Sequence, residues 1–166
     1  MTRARRLTPG EADLARGVFG DAIDLRRVRI SVRRWGPWAV TIGSRITFPP
    51  SSAPEDFATE PARLQAWLVH ELVHVLQFQT APLRTILSWA KVVLTGGYGP
   101  GLPGYRYALP LKPWRRLNLE QQATAVEHAF LLRHGLSTVS MPQRAALGDY
   151  RNLPFTQLTQ STPKLK

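Results

Sequence analysis

The sequence predicts an α+β fold in which a small N-terminal antiparallel sheet packs on a helical core. Two patterns predict it. Between residues 27 and 48 apolar side chains recur at about every second position, the period of a half-buried strand. From about residue 60 they recur at helical spacing in three long stretches, broken by prolines and by a glycine-rich segment.

The elements follow in order. In "TPGEADLARGVFG" Thr8 is placed to cap a helix, Pro9 takes the first helical position, and Glu11 stands where a capping box needs it. Leu14, Val18 and Phe19 are its apolar stripe. "LRRVRISVRRW" then turns Val28, Ile30 and Val32 one way and Arg27, Arg29, Ser31 and Arg33 the other. "WGPW" at 35–38 is a turn, and alternation resumes through Val40, Ile42, Ile46 and Phe48. "PPSSAPEDF" is loop. A helix over about residues 60–79 follows, with Thr59 as its cap and Pro61 in its first turn. "APLRTILSWAKVVL" is an amphipathic helix, ended by the five glycines and two prolines of "TGGYGPGLPG". "NLEQQATAVEHAFLLRHG" is the third long helix, capped by Asn118 with Gln121 closing the box and stopped at Gly135. "MPQRAALGDY" adds a short helix. These marks divide the chain into a basic extension over 1–6, one domain over 7–150 and a loose tail over 151–166.

At 166 residues and 43% apolar composition the chain is long enough for one domain with a real core. It has no cysteine, which excludes disulfides, thiolate metal sites and cysteine nucleophiles. Any metal must be held by histidine or carboxylate. The net charge is +11, from 22 basic residues that are mostly arginine and are spread along the chain rather than run together. Arg26, Arg27, Arg29, Arg33 and Arg34 beside Trp35 and Trp38 would suit a nucleic-acid backbone and its bases. The same residues form the solvent face of an arginine-rich strand, so nucleic acid is not the expected partner. No apolar run reaches signal-peptide or membrane-spanning length, so membrane insertion is not expected and a cytoplasmic site is the default.

The chemistry concentrates in "HELVH". His70 and His74 lie four apart and leave the same face of a helix, where two imidazoles can converge on one ion. Glu71 projects one step round, within reach of a water in an open position of that ion, as a general base must be. Leu64, Trp67, Leu68, Leu72, Val75, Leu76 and Phe78 make the helix apolar over much of its circumference. Burying His, Glu and His there needs an electrostatic reason, and a metal supplies one. A third protein ligand is then wanted, and Glu120, Glu127, His128 and His134 are the candidates on the third helix. Glu120 and Glu127 share a stripe but stand roughly 10 Å apart along the axis, so only one can be level with the ion. Spacing alone leaves that choice open.

"TPGEADLARGVFGDAIDLRRVRI", "GSRITFPP", "HELVHVLQ" and "NLEQQA", in that order, resemble small bacterial Vgr-related proteins. These are similar to a metallopeptidase-like domain found with extracellular contractile injection systems. The resemblance covers about residues 7–135. It implies a zincin-like core of the gluzincin type, in which His70 and His74 hold Zn²⁺, Glu120 is the third ligand, and Glu71 on the active-site helix is the general base. It also implies that "GSRITFPP" is the strand beside the cleft. Gluzincins commonly carry an acid about one turn after the ligand glutamate to orient a histidine, but Thr124 stands there. Tyr105, Tyr107 and Tyr98, in or just after the glycine-rich segment, are the candidates for stabilising a transition state.

The expected activity is zinc-dependent hydrolysis of a peptide or protein substrate. The competing expectation is a zinc-stabilised module without turnover that docks on a secretion or phage-tail-like injection assembly; export by a specialised system is compatible with either expectation.

Overall fold

A computed structural model describes residues 4–33, 36–95 and 102–155. Thr8 begins helix α1 (Pro9–Phe19), and the capping box is present: its hydroxyl accepts from Glu11 N while Glu11 reaches back to Thr8 N. The buried Glu11 carboxylate also accepts two 2.7 Å bonds from Arg5 and one of 3.0 Å from Phe57 N. Arg5 is thereby fixed against the domain, and its backbone bridges to Ile30.

Three short strands follow, β1 (Arg29–Val32), β2 (Val40–Ile42) and β3 (Arg45–Phe48), in the spatial order β1-β3-β2. β2 and β3 form the expected antiparallel hairpin about Gly43, whose φ of 62° suits the turn. The sheet is nevertheless mixed, because β1 pairs with β3 in parallel. The chain leaves β1, runs through β2 on the far side of β3, and re-enters β3 in the same direction as β1. That register sets Ile30 beside Ile46 and Ser31 beside Thr47, with a 2.9 Å bond between the two hydroxyls. Alternation identifies a strand's buried face but is silent on the direction of its partner. Ile42 departs from its expected inward position and is 71% exposed. Of "WGPW", Trp35 lies outside the described residues, and Gly36 has φ 80°.

Helix α2 (Ala62–Thr80) begins at Pro61 rather than Thr59, whose hydroxyl instead donates to Asp56 O. It lies between the sheet and helix α4 (Leu119–Arg133) and is the centre of the core. Leu68, Val69, Leu72, Val73 and Val75 are fully buried, each contributing about 1.5–3 kcal/mol of burial. Asn118 and Gln121 form the expected capping box on α4, and Gly135, with φ 70°, follows its end. Helix α3 (Pro82–Leu94) has the predicted amphipathic period, yet Leu83, Leu87 and Leu94 face solvent. "MPQRAALGDY" ends in a single 3₁₀ turn, Leu147–Tyr150. Leu153 and Phe155, placed in the tail by the sequence, are buried, and the Phe155 ring packs against Phe19 and Trp114. No described helix is long and apolar enough to cross a membrane.

Candidate metal centre

The i, i+4 spacing on α2 does what it should: His70 and His74 project from one face, with ring centroids 5.1 Å apart. Opposite them α4 presents Glu120 from its first turn. Glu120 Oε2 lies 3.5 Å from His70 Nε2 and 3.4 Å from His74 Nε2. All three side chains are buried, and their donor atoms lie within 4.8 Å of one another.

The hydrogen bonds behind these atoms determine what faces inward. Gln77 Nε2 donates to Leu119 O (3.0 Å) and to Gln122 Oε1 (2.8 Å), so Gln77 Oε1 is the acceptor turned toward His74 Nδ1 at 2.9 Å. His74 must therefore carry its proton on Nδ1 when neutral, leaving the Nε2 lone pair aimed at Glu120. His70 repeats the arrangement, with Nδ1 2.9 Å from Glu127 Oε2. Two imidazole lone pairs and a carboxylate oxygen thus converge on a common point. Glu120 Oε2 has no hydrogen-bond partner, and three buried acceptors without a donor require a cation or protons.

The charges of the cluster shift one another's proton affinities. Burial disfavours the charged form of His70, but the carboxylates of Glu120, Glu127 and Glu71 more than offset it and raise its pKa well above the ordinary value. His74 is raised too, with burial opposed chiefly by Glu120. Burial acts to raise Glu120, and the two histidines overcome it and hold this carboxyl far below the usual range. Two imidazoles, each oriented from behind, and one buried carboxylate are a donor set that fits a metal ion.

Glu71, also buried, stands outside this trio. Its Oε2 accepts a 2.6 Å bond from the Thr41 hydroxyl on β2. Over the trio opens a cavity of about 1220 Å³ whose walls come from β2, α3 and the segment after α4. The strand beside this cleft is β2; β3, expected there from "GSRITFPP", lies between its two neighbours at the middle of the sheet.

The structure thus brings His70, Glu71, His74 and Glu120 together and places Glu127 one layer out. His128 is elsewhere: its Nδ1 is 2.6 Å from the Tyr107 hydroxyl and its Nε2 3.0 Å from Ser140 Oγ. His134 packs on Phe130. The Tyr105 ring lies parallel to that of His70 at 6.2 Å, while the Tyr107 hydroxyl is bonded to both His128 and Tyr150. Tyr98 lies outside the described residues. Sequence reasoning missed Thr41, Gln77 and Gln122. Gln77 was accessible, standing one turn after His74 on an otherwise apolar helix.

No protein-family model matches the chain. It is 32% identical, over a 165-residue alignment, to the type VI secretion system spike protein VgrG2b of Pseudomonas aeruginosa. That alignment covers 90% of this chain but 15% of the spike protein, so the chain spans a small part of the relative's length. The solved structure of the Pseudomonas aeruginosa VgrG2b effector domain superposes with a TM-score of 0.65 at 31% identity, covering 80% of this chain and 76% of that one. The chain belongs to the VgrG2b effector-domain family. Membership accounts for the ordered run of segments that made the sequence look Vgr-related, and the mixed α+β architecture is shared with the VgrG2b effector domain. The His70, His74 and Glu120 trio is this chain's own geometry, a site at which a metal ion can be held.

Proposed function

We propose that this VgrG2b-type domain is a zinc-dependent peptidase of gluzincin type, with His70, His74 and Glu120 as ligands and Glu71 as general base. The observation that carries the reading is the division of labour among four buried side chains. Three direct lone pairs at a common point, while the fourth, Glu71, is turned aside and held by Thr41. A purely structural metal site has no use for a separate carboxylate at the floor of a cleft.

Bound zinc would polarise a scissile carbonyl and acidify a water beside it. The rest falls to the chain. Glu127 and Gln77 fix the two imidazoles in the tautomers that leave Nε2 free to bind. Thr41 holds one oxygen of Glu71, leaving the other to take a proton from water and return it to the leaving amine. β2, an outer strand, offers backbone groups along which an extended peptide adds as a further strand. Tyr105, whose ring lies parallel to that of His70, is the tyrosine placed to stabilise the transition state, while the Tyr107 hydroxyl is bonded to His128 and Tyr150.

Because the relative is a secretion-system spike protein, we propose further that the domain is delivered by such an assembly and acts on a peptide or protein substrate outside the cell that makes it. The test of chemistry is the Glu71→Gln variant. It should keep one zinc per chain and lose turnover of a peptide library by a factor of about 10² or more. Undiminished turnover would refute the mechanism. A docking module without turnover predicts no cleavage by either protein.

A further inference from the structure

Resting on the peptidase reading, we infer that the cleft selects peptides carrying bulky apolar side chains on both sides of the scissile bond. Exposed large hydrophobic residues usually scatter singly over a surface. Here five of the ten among the described residues gather around one cavity from three separate elements. Trp38 and Ile42, at 50% and 71% exposed, come from β2 and its lead-in; Ile86 and Trp89, at 51% and 46%, come from α3; Val139, fully exposed, comes from the segment after α4. Ile42 belongs to the alternation that the sequence reads as inward-facing, and Ile86 to the amphipathic α3. Both side chains line the cleft.

Charge points to the same class of occupant. The chain has 22 lysines and arginines, yet among the described residues Arg106 is the one of them on the cavity wall. The anionic and imidazole groups there belong to the metal centre and its immediate supports: His70, Glu71, His74, Glu120 and Glu127. A protein this basic that recognised an acidic peptide or a nucleic acid through this cleft would line it with cations. It lines it with tryptophan and isoleucine. An extended peptide laid along β2 directs alternate side chains to opposite sides, and both α3 and the segment around Val139 stand ready to bury them. Each large apolar side chain so buried strengthens binding by roughly tenfold to a hundredfold.

The experiment uses the zinc-loaded Glu71→Gln protein and blocked hexapeptides whose two central residues are both Leu, both Phe, both Ser, both Glu or both Lys. Trp38, Trp67 and Trp89 line the cavity, so intrinsic fluorescence reads binding directly, without turnover. The Leu and Phe peptides should bind at least tenfold more tightly than the Ser, Glu and Lys peptides. Ile86→Ser and Val139→Ser, both at exposed positions, should erase the preference without lowering the unfolding temperature. Equal affinity for Leu and Ser peptides, tighter binding of Glu or Lys peptides, or a preference untouched by both substitutions overturns the inference. Wild-type protein separates the two readings. Apolar peptides that bind but are never cut remove the peptidase and leave the selectivity; cleavage without apolar preference does the reverse.

Discussion

The hydroxyl of Thr41 on β2 donates a 2.6 Å hydrogen bond to Glu71 on α2, tying the edge of the sheet to the carboxylate beside the His70, His74 and Glu120 cluster. A carboxylate with one oxygen held has one orientation to offer a water, whereas a free one samples several. Thr41→Val removes the donor at nearly constant volume. It should leave zinc content and KM unchanged and lower kcat roughly 10- to 100-fold, with Thr41→Ser restoring most of it. Steady-state kinetics on one cleavable peptide decides it: an unaltered kcat, or a loss seen only in KM, removes Thr41 from the mechanism.

The two glutamates of α4 should separate in metal binding. Glu120 supplies a lone pair at the centre, so Glu120→Ala should abolish stoichiometric zinc. Glu127 and Gln77 act through the far nitrogens of the imidazoles, and Glu127→Ala or Gln77→Leu should weaken zinc about 10- to 100-fold without eliminating it. Competition with a chromophoric chelator ranks all three. A Glu127→Ala protein that loses zinc while Glu120→Ala keeps it would exchange the two roles.

Much of this was legible because it is local. The capping boxes Thr8–Glu11 and Asn118–Gln121 are set by spacings of three residues, and the approach of His70 to His74 is set by one turn of helix. The Vgr-related resemblance singled out Glu120, although spacing could not choose between it and Glu127. What stayed hidden depends on tertiary placement. The parallel pairing of β1 with β3 leaves no mark on an alternating pattern, and Thr41 meets Glu71 across 30 residues of chain. The outward Ile42 misled for a related reason. Periodicity reports that a side chain seeks an apolar neighbour, and a cleft wall satisfies that pattern as well as a core does.

Stability away from the centre should depend on Glu11 more than on surface pairs. Its fully buried carboxylate accepts from both Arg5 Nη atoms and from the backbone N–H groups of Thr8 and Phe57. Glu11→Ala strands all of these donors and should cost about 3–5 kcal/mol in urea unfolding. Arg16→Ala breaks the exposed pair with Asp13 and should change stability by about 0.5 kcal/mol or less. Similar losses in the two variants would contradict this ordering.

Acid should destabilise the fold through His128. This ring is fully buried between Tyr107 and Ser140, and burial depresses its pKa to about 4; the Glu127 carboxylate opposes this and the nearby His70 reinforces it. The unfolded chain takes this proton near pH 6.5. The folded form therefore favours the neutral ring, and the resulting stability is complete above about pH 6.5 and is lost as pH falls toward 4. The full loss is about 3 kcal/mol, because each tenfold drop in proton affinity on folding corresponds to ~1.4 kcal/mol. His70 and His74, whose pKa values are raised, contribute with the opposite sign, so wild type alone cannot isolate the effect. The comparison with His128→Asn can. The variant should be less stable than wild type at pH 7 and should lose less on going to pH 4.5, because it has no imidazole to protonate on unfolding. Urea midpoints at the two pH values give both numbers, and equal slopes in the two proteins would mean that His128 is not the group that titrates.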